Sequence, residues 1–469
     1  MDGNITMKQK TAFRRFLLLL TAALLMLALA ACGESAQVEE TTIPTETTAP
    51  TEPPFVDIGG TEVDVEATVL DLSVGIYELD ALLAAAERLT EVAQINLGET
   101  DLTYEQMESL RSAFPGAEIS YSLRLFGQAL SPDTTSLELP DMDPAQTGEL
   151  VSALPLLPQL TQINFVSAEG VCAYGIEDIP QLDTLREAAP EIYLQVSFDL
   201  FGQTVTSEDT RIEYYLVEMG NEGADVVRAV LPYLRSCEYL LMDGCGVDNE
   251  VMAQLREDFP ETKVVWRVWT YPPDYSSEKI MRWASFLTDT HRIRTVLVND
   301  STCDVLKYCI ETKYVDFGHN LEISDFSFLG YMPHLEAAII GLTNCADLTP
   351  LMNCTELEYL EIYGSKVTDL SPLAACVNLK HLNISRLEVD DITCLYGLEL
   401  ERFRAVDTDV PKEQIQEYAE LHPDCQMLMK GWAPHQNGWR YDDDGNMVPR
   451  YALLREQMEY DIDKSYGIP

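Results

Sequence analysis

The chain has 469 residues, of which 31 are Lys or Arg and 78 are Asp or Glu, so its formal net charge is −47. A charge of this size and sign excludes an electrostatic grip on nucleic acid or on an anionic membrane surface. The hydrophobic fraction of 46% and the 5 Trp residues are enough to bury a sizeable core. We therefore expect a folded protein with no nucleic-acid partner.

The N-terminus has the features of an export signal. Basic residues are followed by an apolar or small run of 16 residues from Phe16 to Ala31, which is typical of a secretory signal, whereas a membrane span needs about 20. The run ends in Leu29-Ala30-Ala31-Cys32, which resembles the lipobox of bacterial lipoproteins. The resemblance implies loss of residues 1–31, lipidation of Cys32 with palmitate-type acyl chains, and anchoring to the extracytoplasmic face of the bacterial cell membrane. An ordinary membrane anchor with a chance cysteine is the alternative.

The segment after Cys32 has the composition of a linker. The 14 residues from Thr41 to Pro54 include 6 Thr, 4 Pro and 2 Glu. Such a composition favours an extended, solvated chain without a packed core. We predict that residues 32–54 are a Thr/Pro/Glu-rich linker that holds the folded part away from the bilayer.

Residues 55–320 contain a pattern that recurs at intervals of 75 and then 70 residues. Each copy closes a helix-favouring stretch with Leu-Arg and, 4 residues later, Pro. Because proline cannot continue the hydrogen-bond ladder, we predict helices that end before Pro115, Pro190 and Pro260, each followed by a strand. The spacing L-x-x-L-x-L also fits four upstream segments: Val92–Leu97, Leu160–Phe165, Cys237–Met242 and Ile293–Val298.

The clearest repeat lies between Asp325 and Val410. The step is 22 residues, as in the series Leu335, Leu357, Leu379 and the series Ile340, Ile362, Ile384. Read as L-x-x-L-x-L, each copy is the short strand of a leucine-rich repeat, which buries its apolar ladder against its neighbours. These segments resemble internalin-type bacterial leucine-rich repeats. The resemblance implies the fold and leaves the function open.

Together these patterns predict an α/β fold, a leucine-rich-repeat solenoid. Residues 55–320 are expected to form divergent, helix-rich units in the N-terminal half. Residues 321–430 are expected to form short internalin-like repeats in the C-terminal half, with a cap at 411–430. Residues 431–469 remain as an aromatic and acidic C-terminal tail, whose Trp residues are expected to pack on the last repeat. Two abutting solenoid subdomains near residue 320 are the alternative.

One slot of the repeat departs from the family pattern. Internalin-type repeats usually have Asn at the ninth position, where its side chain bonds the backbone of the turn. The corresponding residues here are Thr343, Ser365, Leu387 and Thr408. Because the Leu387 side chain cannot form that bond, we expect a locally irregular turn there.

The residues that could carry chemistry do not form a recognisable site. Cys354 and Cys376 occupy an inward repeat position, so we interpret the cysteines after Cys32 mainly as small buried thiols. The 6 His residues have no metal-ligand spacing, and nucleophile and phosphate-binding motifs are missing. We therefore predict a protein without metal or cofactor that is not an enzyme. The alternative is a carboxylate-dependent, glycoside hydrolase-like site within residues 55–320.

The variable positions of the repeat strands suggest a binding surface. The leucines of L-x-x-L-x-L point inward, so the intervening residues are expected to face outward on the concave sheet. In the last repeats these positions combine aromatic and basic residue types that are enriched at interface hot spots. The predicted partner-binding residues are Tyr359, Glu361, Tyr363, His381, Asn383, Arg402 and Arg404.

The leading hypothesis is a lipid-anchored cell-surface protein that binds a protein or glycan ligand at the concave face. It is motivated by the combination of lipobox, linker and repeats without a catalytic motif. The alternatives are an extracytoplasmic carboxylate-dependent hydrolase in residues 55–320 and a scaffold for an envelope complex.

We predict that Cys32→Ala releases the protein from the membrane fraction into the medium or blocks its processing, because the lipid would have no thiol to attach to. Fractionation of expressing cells followed by immunoblotting measures this. Unchanged retention in the membrane would contradict the lipoprotein interpretation and favour a membrane-spanning anchor.

Overall fold

The computed structural model describes residues 53–431 and 436–468. The predicted signal peptide (1–31), Cys32 and nearly all of the linker (32–54) lie outside the described residues. Within the described part of the chain, no helix is both long and apolar enough to cross a membrane.

The first structural unit contains a four-stranded, mostly parallel sheet, a separate antiparallel pair formed by its first two strands, and two helices. Its strands are β1 (Phe55–Asp57), β2 (Glu62–Asp64), β3 (Val69–Asp71), β4 (Gln94–Thr100), β5 (Glu118–Leu125) and β6 (Gln128–Leu130), and its helices are α1 (Leu79–Ala85) and α2 (Tyr104–Ala113). Strands β3, β4 and β5 are parallel, and β6 returns antiparallel to β5. A reciprocal capping box between Thr103 and Gln106 begins α2, because each side chain satisfies the other residue's backbone N–H.

Two further units follow the same plan. The second contains β7 (Ser136–Glu138), β8 (Gln162–Asn164), β9 (Tyr193–Gln195), β10 (Ser197–Leu200) and β11 (Gln203–Thr206), with α3 (Thr147–Ala153) and α4 (Ile179–Ala188). The third contains β12 (Arg211–Tyr215), β13 (Tyr239–Asp243), β14 (Lys263–Val265), β15 (Arg267–Trp269) and β16 (Ser285–Leu287), with α5 (Gly220–Val230), α6 (Asn249–Asp258) and α7 (Glu278–Ala284). In each of these two units, three parallel strands are followed along the chain by an antiparallel pair of strands.

The predicted helix ends are confirmed. Helices α2, α4 and α6 each stop two residues before Pro115, Pro190 or Pro260, and a strand follows each. The capping residue before each proline has left the helical region, as expected for the residue that precedes proline. A Phe-Gly pair then forms the turn that connects β5 with β6, and a second Phe-Gly pair connects β10 with β11. Both residues of each pair have positive φ, which is the geometry of a two-residue hairpin turn.

The C-terminal repeats form one seven-stranded sheet whose neighbouring strands are all parallel. Its strands are β17 (Arg292–Arg294), β18 (Tyr314–Asp316), β19 (Ala337–Ile339), β20 (Tyr359–Glu361), β21 (His381–Asn383), β22 (Arg402–Arg404) and β23 (Gln426–Leu428), with α8 (Lys412–Leu421) before β23. Ala338 pairs with Leu360, and Leu360 pairs with Leu382. Paired residues on these neighbouring strands are thus 22 positions apart, as the repeat in the sequence predicts. Short 3-10 helices connect the earlier strands: Cys303–Tyr308, Ser327–Tyr331, Thr349–Asn353, Ser371–Ala375 and Thr393–Leu395. The chain therefore carries leucine-rich repeats.

The sheet begins earlier than the sequence pattern indicated. The spacing in Ile293–Val298 predicts Val296 at the central inward position of the strand. In the structure Ile293 is central and fully buried, whereas Val296 is 37% exposed. The predicted register of this strand is therefore wrong by three residues, because Thr290 and Thr295 occupy repeat positions that usually hold leucine. Residue 320, where the alternative of two abutting subdomains places their boundary, lies inside this sheet between β18 and β19.

Buried cysteines join neighbouring repeats. The Cys354 thiol donates a hydrogen bond to the Leu329 carbonyl at 3.3 Å, and the Cys376 thiol donates to the Leu351 carbonyl at 3.4 Å. Each thiol thus satisfies a carbonyl in the preceding repeat while packing as a small apolar group. All ten cysteines from Cys172 to Cys425 are free thiols.

The turn at Leu387 is regular, so the expected irregularity was wrong. The Leu387 N–H donates to the Ile384 carbonyl at 3.3 Å, and the corresponding bond of Ser365 to Ile362 has the same length. The preceding residue is left-handed in both repeats, with φ of 61° at Arg386 and 64° at Gly364. The backbone itself closes the turn, and the Leu387 side chain is buried instead.

The C-terminal tail is folded. It contains a turn at Asp442 and the helices α9 (Pro449–Gln457) and α10 (Tyr460–Ser465). The Asp442 carboxylate accepts the N–H groups of Asp444 and Asn446 at 3.0 and 2.7 Å, while Tyr441 and Met447 form an antiparallel bridge. The acidic run around Asp442 is therefore a polar turn.

We predict that the seven fully buried thiols resist alkylation in the native chain. Burial raises the pKa of Cys345 and Cys354 to about 12, which suppresses the reactive thiolate and blocks access. Iodoacetamide labelling with mass spectrometry should modify the half-buried Cys172, Cys394 and Cys425 first. The same reagent in urea is the control for full labelling. Fast native labelling of Cys354 would contradict this packing.

Candidate functional site

The residues predicted to bind a partner share one face of the repeat sheet, on the side opposite the leucine core. We call this the covered face and define it by Tyr359, Glu361, Tyr363, His381, Asn383, Arg402 and Arg404. The structure brings these side chains together, but the expectation that they face solvent is wrong. Tyr359, Glu361, Asn383 and Arg404 have 0% exposure. The reason is that the tail, residues 436–468, lies over them.

Trp439 is the centre of the contact between tail and sheet. It is fully buried, its ring centroid lies 5.4 Å from that of Tyr359, and the Arg402 guanidinium stands 5.2 Å from its centroid. Arg402 also donates a hydrogen bond from Nη2 to the Trp439 carbonyl at 2.7 Å. The indole is therefore held between an aromatic ring and a cation, an arrangement that stabilises both contacts.

The neighbouring residue, Arg440, forms an ion pair with Glu361. Its Nε donates to Glu361 Oε1 at 2.9 Å, and its Nη2 donates to Oε2 of the same carboxylate. The Tyr359 hydroxyl donates to Glu361 as well. Burial, and next the charge of Glu361, raise the pKa of Tyr359 well above its ordinary value. The carboxylate thus has several donors, as a charge without solvent requires.

The remaining covered residues are engaged in the same region. Burial, together with Arg402 and Arg450, lowers the pKa of His381 to about 3, so this imidazole is neutral at physiological pH. The Asn383 Oδ1 accepts the Ser385 N–H at 3.1 Å, and Arg404 donates from Nη2 to the Lys430 carbonyl at 3.1 Å. These side chains support the backbone at the end of the sheet.

A second group of charges ties the tail to the start of the sheet. Asp463 of α10 is almost fully buried and accepts hydrogen bonds from Arg282 at 2.6 Å, Arg292 at 3.1 Å and Arg294 at 3.0 Å. Arg282 and Arg292 also contact Glu459. We call these five residues the Asp463 cluster. The sequence did not point to it, because its cations and carboxylates are about 170 residues apart.

The covered face and the tail enclose a hydrophobic cluster of their own. It is separate from the leucine core and contains Tyr314, Ala337, Ile339, Tyr359, Leu428, Trp439, Tyr451, Leu454, Met458 and Tyr460. At its edge a cavity of about 510 Å³ remains open between tail and sheet. Among the described residues, no group of three or more His, Cys, Asp or Glu side chains is placed to hold a metal ion.

The expectation for the tail tryptophans holds for the residue that the structure describes. Trp439 packs on the repeats, against β20 and β22, while Trp432 lies outside the described residues. The signal in the sequence was the run Trp439-Arg440-Tyr441, which places an aromatic and a basic residue together in an acidic chain.

Comparisons with known proteins return structures and no family. No protein-family model and no curated protein match the chain. Internalin C2 of Listeria monocytogenes is 21% identical over 29% of this chain and 62% of its own length, with a TM-score of 0.25, so the chain spans less than two thirds of that protein. Internalin F of the same organism is 16% identical over 75% of this chain and 87% of its own, with a TM-score of 0.29. A leucine-rich-repeat protein of Leptospira interrogans is 12% identical over 72% and 90%, also with a TM-score of 0.29.

We predict that Arg440→Ala lowers the free energy of unfolding by about 3–5 kcal/mol, because Glu361 would remain buried without its counter-charge. Urea unfolding followed by tryptophan fluorescence measures this. The double variant Glu361→Leu/Arg440→Met removes both charges and is the control. It should lose clearly less stability than Arg440→Ala, and an equal or larger loss in the double variant would contradict a charge-compensation role.

Proposed function

We propose that this protein is an exported, lipid-anchored binding protein of the bacterial cell surface that recognises a polypeptide with the covered face of its leucine-rich-repeat sheet. The observation that carries the proposal is the occupied state of that face. The chain's own tail lies on it as a partner segment would, with Trp439 and Arg440 inserted between its side chains.

The residue types in this contact are those of a recognition site. Trp, Tyr and Arg dominate the energetics of protein interfaces because they combine a large contact area with a polar handle. Glu361 selects a cation, and Arg402 engages both a ring and a backbone carbonyl. A segment with an aromatic residue followed by a basic residue therefore complements this face. In this proposal the tail holds the site until a partner displaces it.

The buried carboxylates at this junction hold the tail on the sheet. Glu361 is paired with Arg440, and Asp463 is paired with three arginines. Both carboxylates therefore serve the docking of the tail, which supports the proposal that this face binds a polypeptide segment.

The sequence also supports a membrane anchor and a continuous repeat architecture. The lipobox at Cys32 and the linker 32–54 support attachment to the extracytoplasmic face of the membrane. We further propose that residues 55–430 form one curved solenoid, in which divergent helix-rich units are followed by the internalin-like repeats. A linker of this composition would hold that solenoid above the bilayer.

The test is binding of the tail in trans. We predict that a chain ending at Lys430 binds a synthetic peptide of residues 436–468 saturably, measured by fluorescence anisotropy. The peptide with Trp439→Ala and Arg440→Ala should bind at least tenfold more weakly, a loss of about 1.4 kcal/mol. The full-length chain is the control and should bind the peptide poorly, because its own tail occupies the face.

A second design covers the case in which the shortened chain does not fold. A protease site placed in residues 432–435 allows the tail to be cut after folding. The cut tail should stay bound and exchange with excess peptide 436–468. A cut tail that dissociates at once, or that excess peptide cannot replace, would contradict a recognition face.

A further inference from the structure

The cavity at the junction of tail and sheet is a separate feature from the covered face. It lies where β17 to β20 end, and helices α9 and α10 of the tail close its other side. Its volume of about 510 Å³ is in the range of small-molecule sites and far below what a folded partner needs. A pocket between two elements of the same chain is a common position for such sites.

Cations predominate in the lining of this cavity. Arg294, Arg440, Arg455 and Lys464 line it, against one carboxylate, Asp316. Asp316 is already engaged, since it accepts the Tyr460 hydroxyl and the Gly318 N–H. The lining is thus positive in a chain whose net charge is −47.

Two of these cations are available to a ligand. Arg294 and Arg440 are bound to the buried carboxylates Asp463 and Glu361. Arg455 forms an ion pair with Asp461, whose side chain is 88% exposed, and its guanidinium lies 5.1 Å from the centroid of the Tyr460 ring. Ion pairs with an exposed partner exchange at little cost. Lys464 is exposed, and no ion pair of it occurs within the described residues. Both side chains belong to the tail and line the cavity.

Apart from Thr295, Gly318 and His319, the rest of the lining is apolar or aromatic. Trp283, Val296, Ile339 and Ile468 contribute to it, together with the ring of Tyr363. Val296 and Trp283 are not fully buried, so apolar surface remains uncovered at this point. A ligand with a compact apolar body would cover that surface and gain the free energy of its burial.

We propose that this cavity binds a small organic carboxylate with an apolar or aromatic body. The body packs against Trp283, Val296 and Ile339, and the carboxylate is received by Lys464 and Arg455. Charge-assisted hydrogen bonds to a carboxylate suit both cations. A bare inorganic anion would leave the apolar walls uncovered. A sugar acid would bring hydroxyl groups to a lining in which the hydroxyls of Thr295, Tyr451 and Tyr460 are already hydrogen-bonded within the protein.

Isothermal titration calorimetry on the full chain tests the proposal with a panel of defined probes. Benzoate, phenylacetate and indole-3-acetate represent the proposed class. Indole-3-acetamide removes the charge, inorganic phosphate removes the apolar body, and glucuronate replaces it with a sugar. We expect saturable binding of at least one aromatic acid. We expect at least tenfold weaker binding of the amide, of phosphate and of glucuronate.

Variants of the lining locate the site. Lys464→Gln should weaken binding of the aromatic acid at least fivefold, and Arg455→Gln should act in the same direction. Lys412→Gln is the matched control, because Lys412 is an exposed lysine on α8 away from the cavity. Val296→Trp fills the cavity without changing its charge and should abolish binding while the melting temperature is retained.

Three results would overturn the proposal. The first is that none of the three aromatic acids binds. The second is that phosphate or glucuronate binds as tightly as they do. The third is that Lys464→Gln and Val296→Trp bind the acid as the unchanged protein does. Because these readouts do not involve the tail peptide, they are independent of whether the covered face recognises a polypeptide.

Discussion

Glu361 lies on the middle strand of the seven-stranded sheet with no exposed surface, and a carboxylate in such a position is tolerated only when its charge is compensated. Arg440 supplies the compensation from a segment 79 residues away. The tail is therefore part of the folded domain, since removing it would take away the counter-charge of Glu361 and expose a row of aromatic side chains to solvent. The buried charge of Glu361 thus favours docking of the tail on this strand of the sheet.

The tail is attached at two points, and the cavity lies between them. At one point Trp439 and Arg440 contact β20 and β22, and at the other Asp463 contacts β17 and α7. Between these points the Arg294 guanidinium lies 4.4 Å from the centroid of the Tyr460 ring, and both residues line the cavity.

The distribution of charge connects these features. The chain is strongly acidic, and yet Arg282, Arg292, Arg294, Arg440 and Arg455 all meet at the junction of tail and sheet. Their carboxylate partners Glu361, Glu459, Asp461 and Asp463 lie at the same junction, so these charges compensate one another. Arg282, Arg292, Arg294 and Arg440 hold the tail on the sheet, whereas Arg455 and Lys464 of the tail line the cavity.

The sequence by itself determined the repeat architecture and left the site undecided. The 22-residue leucine step set the register of the sheet, and Pro115, Pro190 and Pro260 set the helix ends, because periodicity and missing donors act locally. The residues of the covered face were also found, because alternation along a strand places them on one side. Whether that side meets water was decided only by tertiary structure. The contacts of Trp439, Arg440 and Asp463 join segments far apart in the chain, and no local pattern encodes such a pairing.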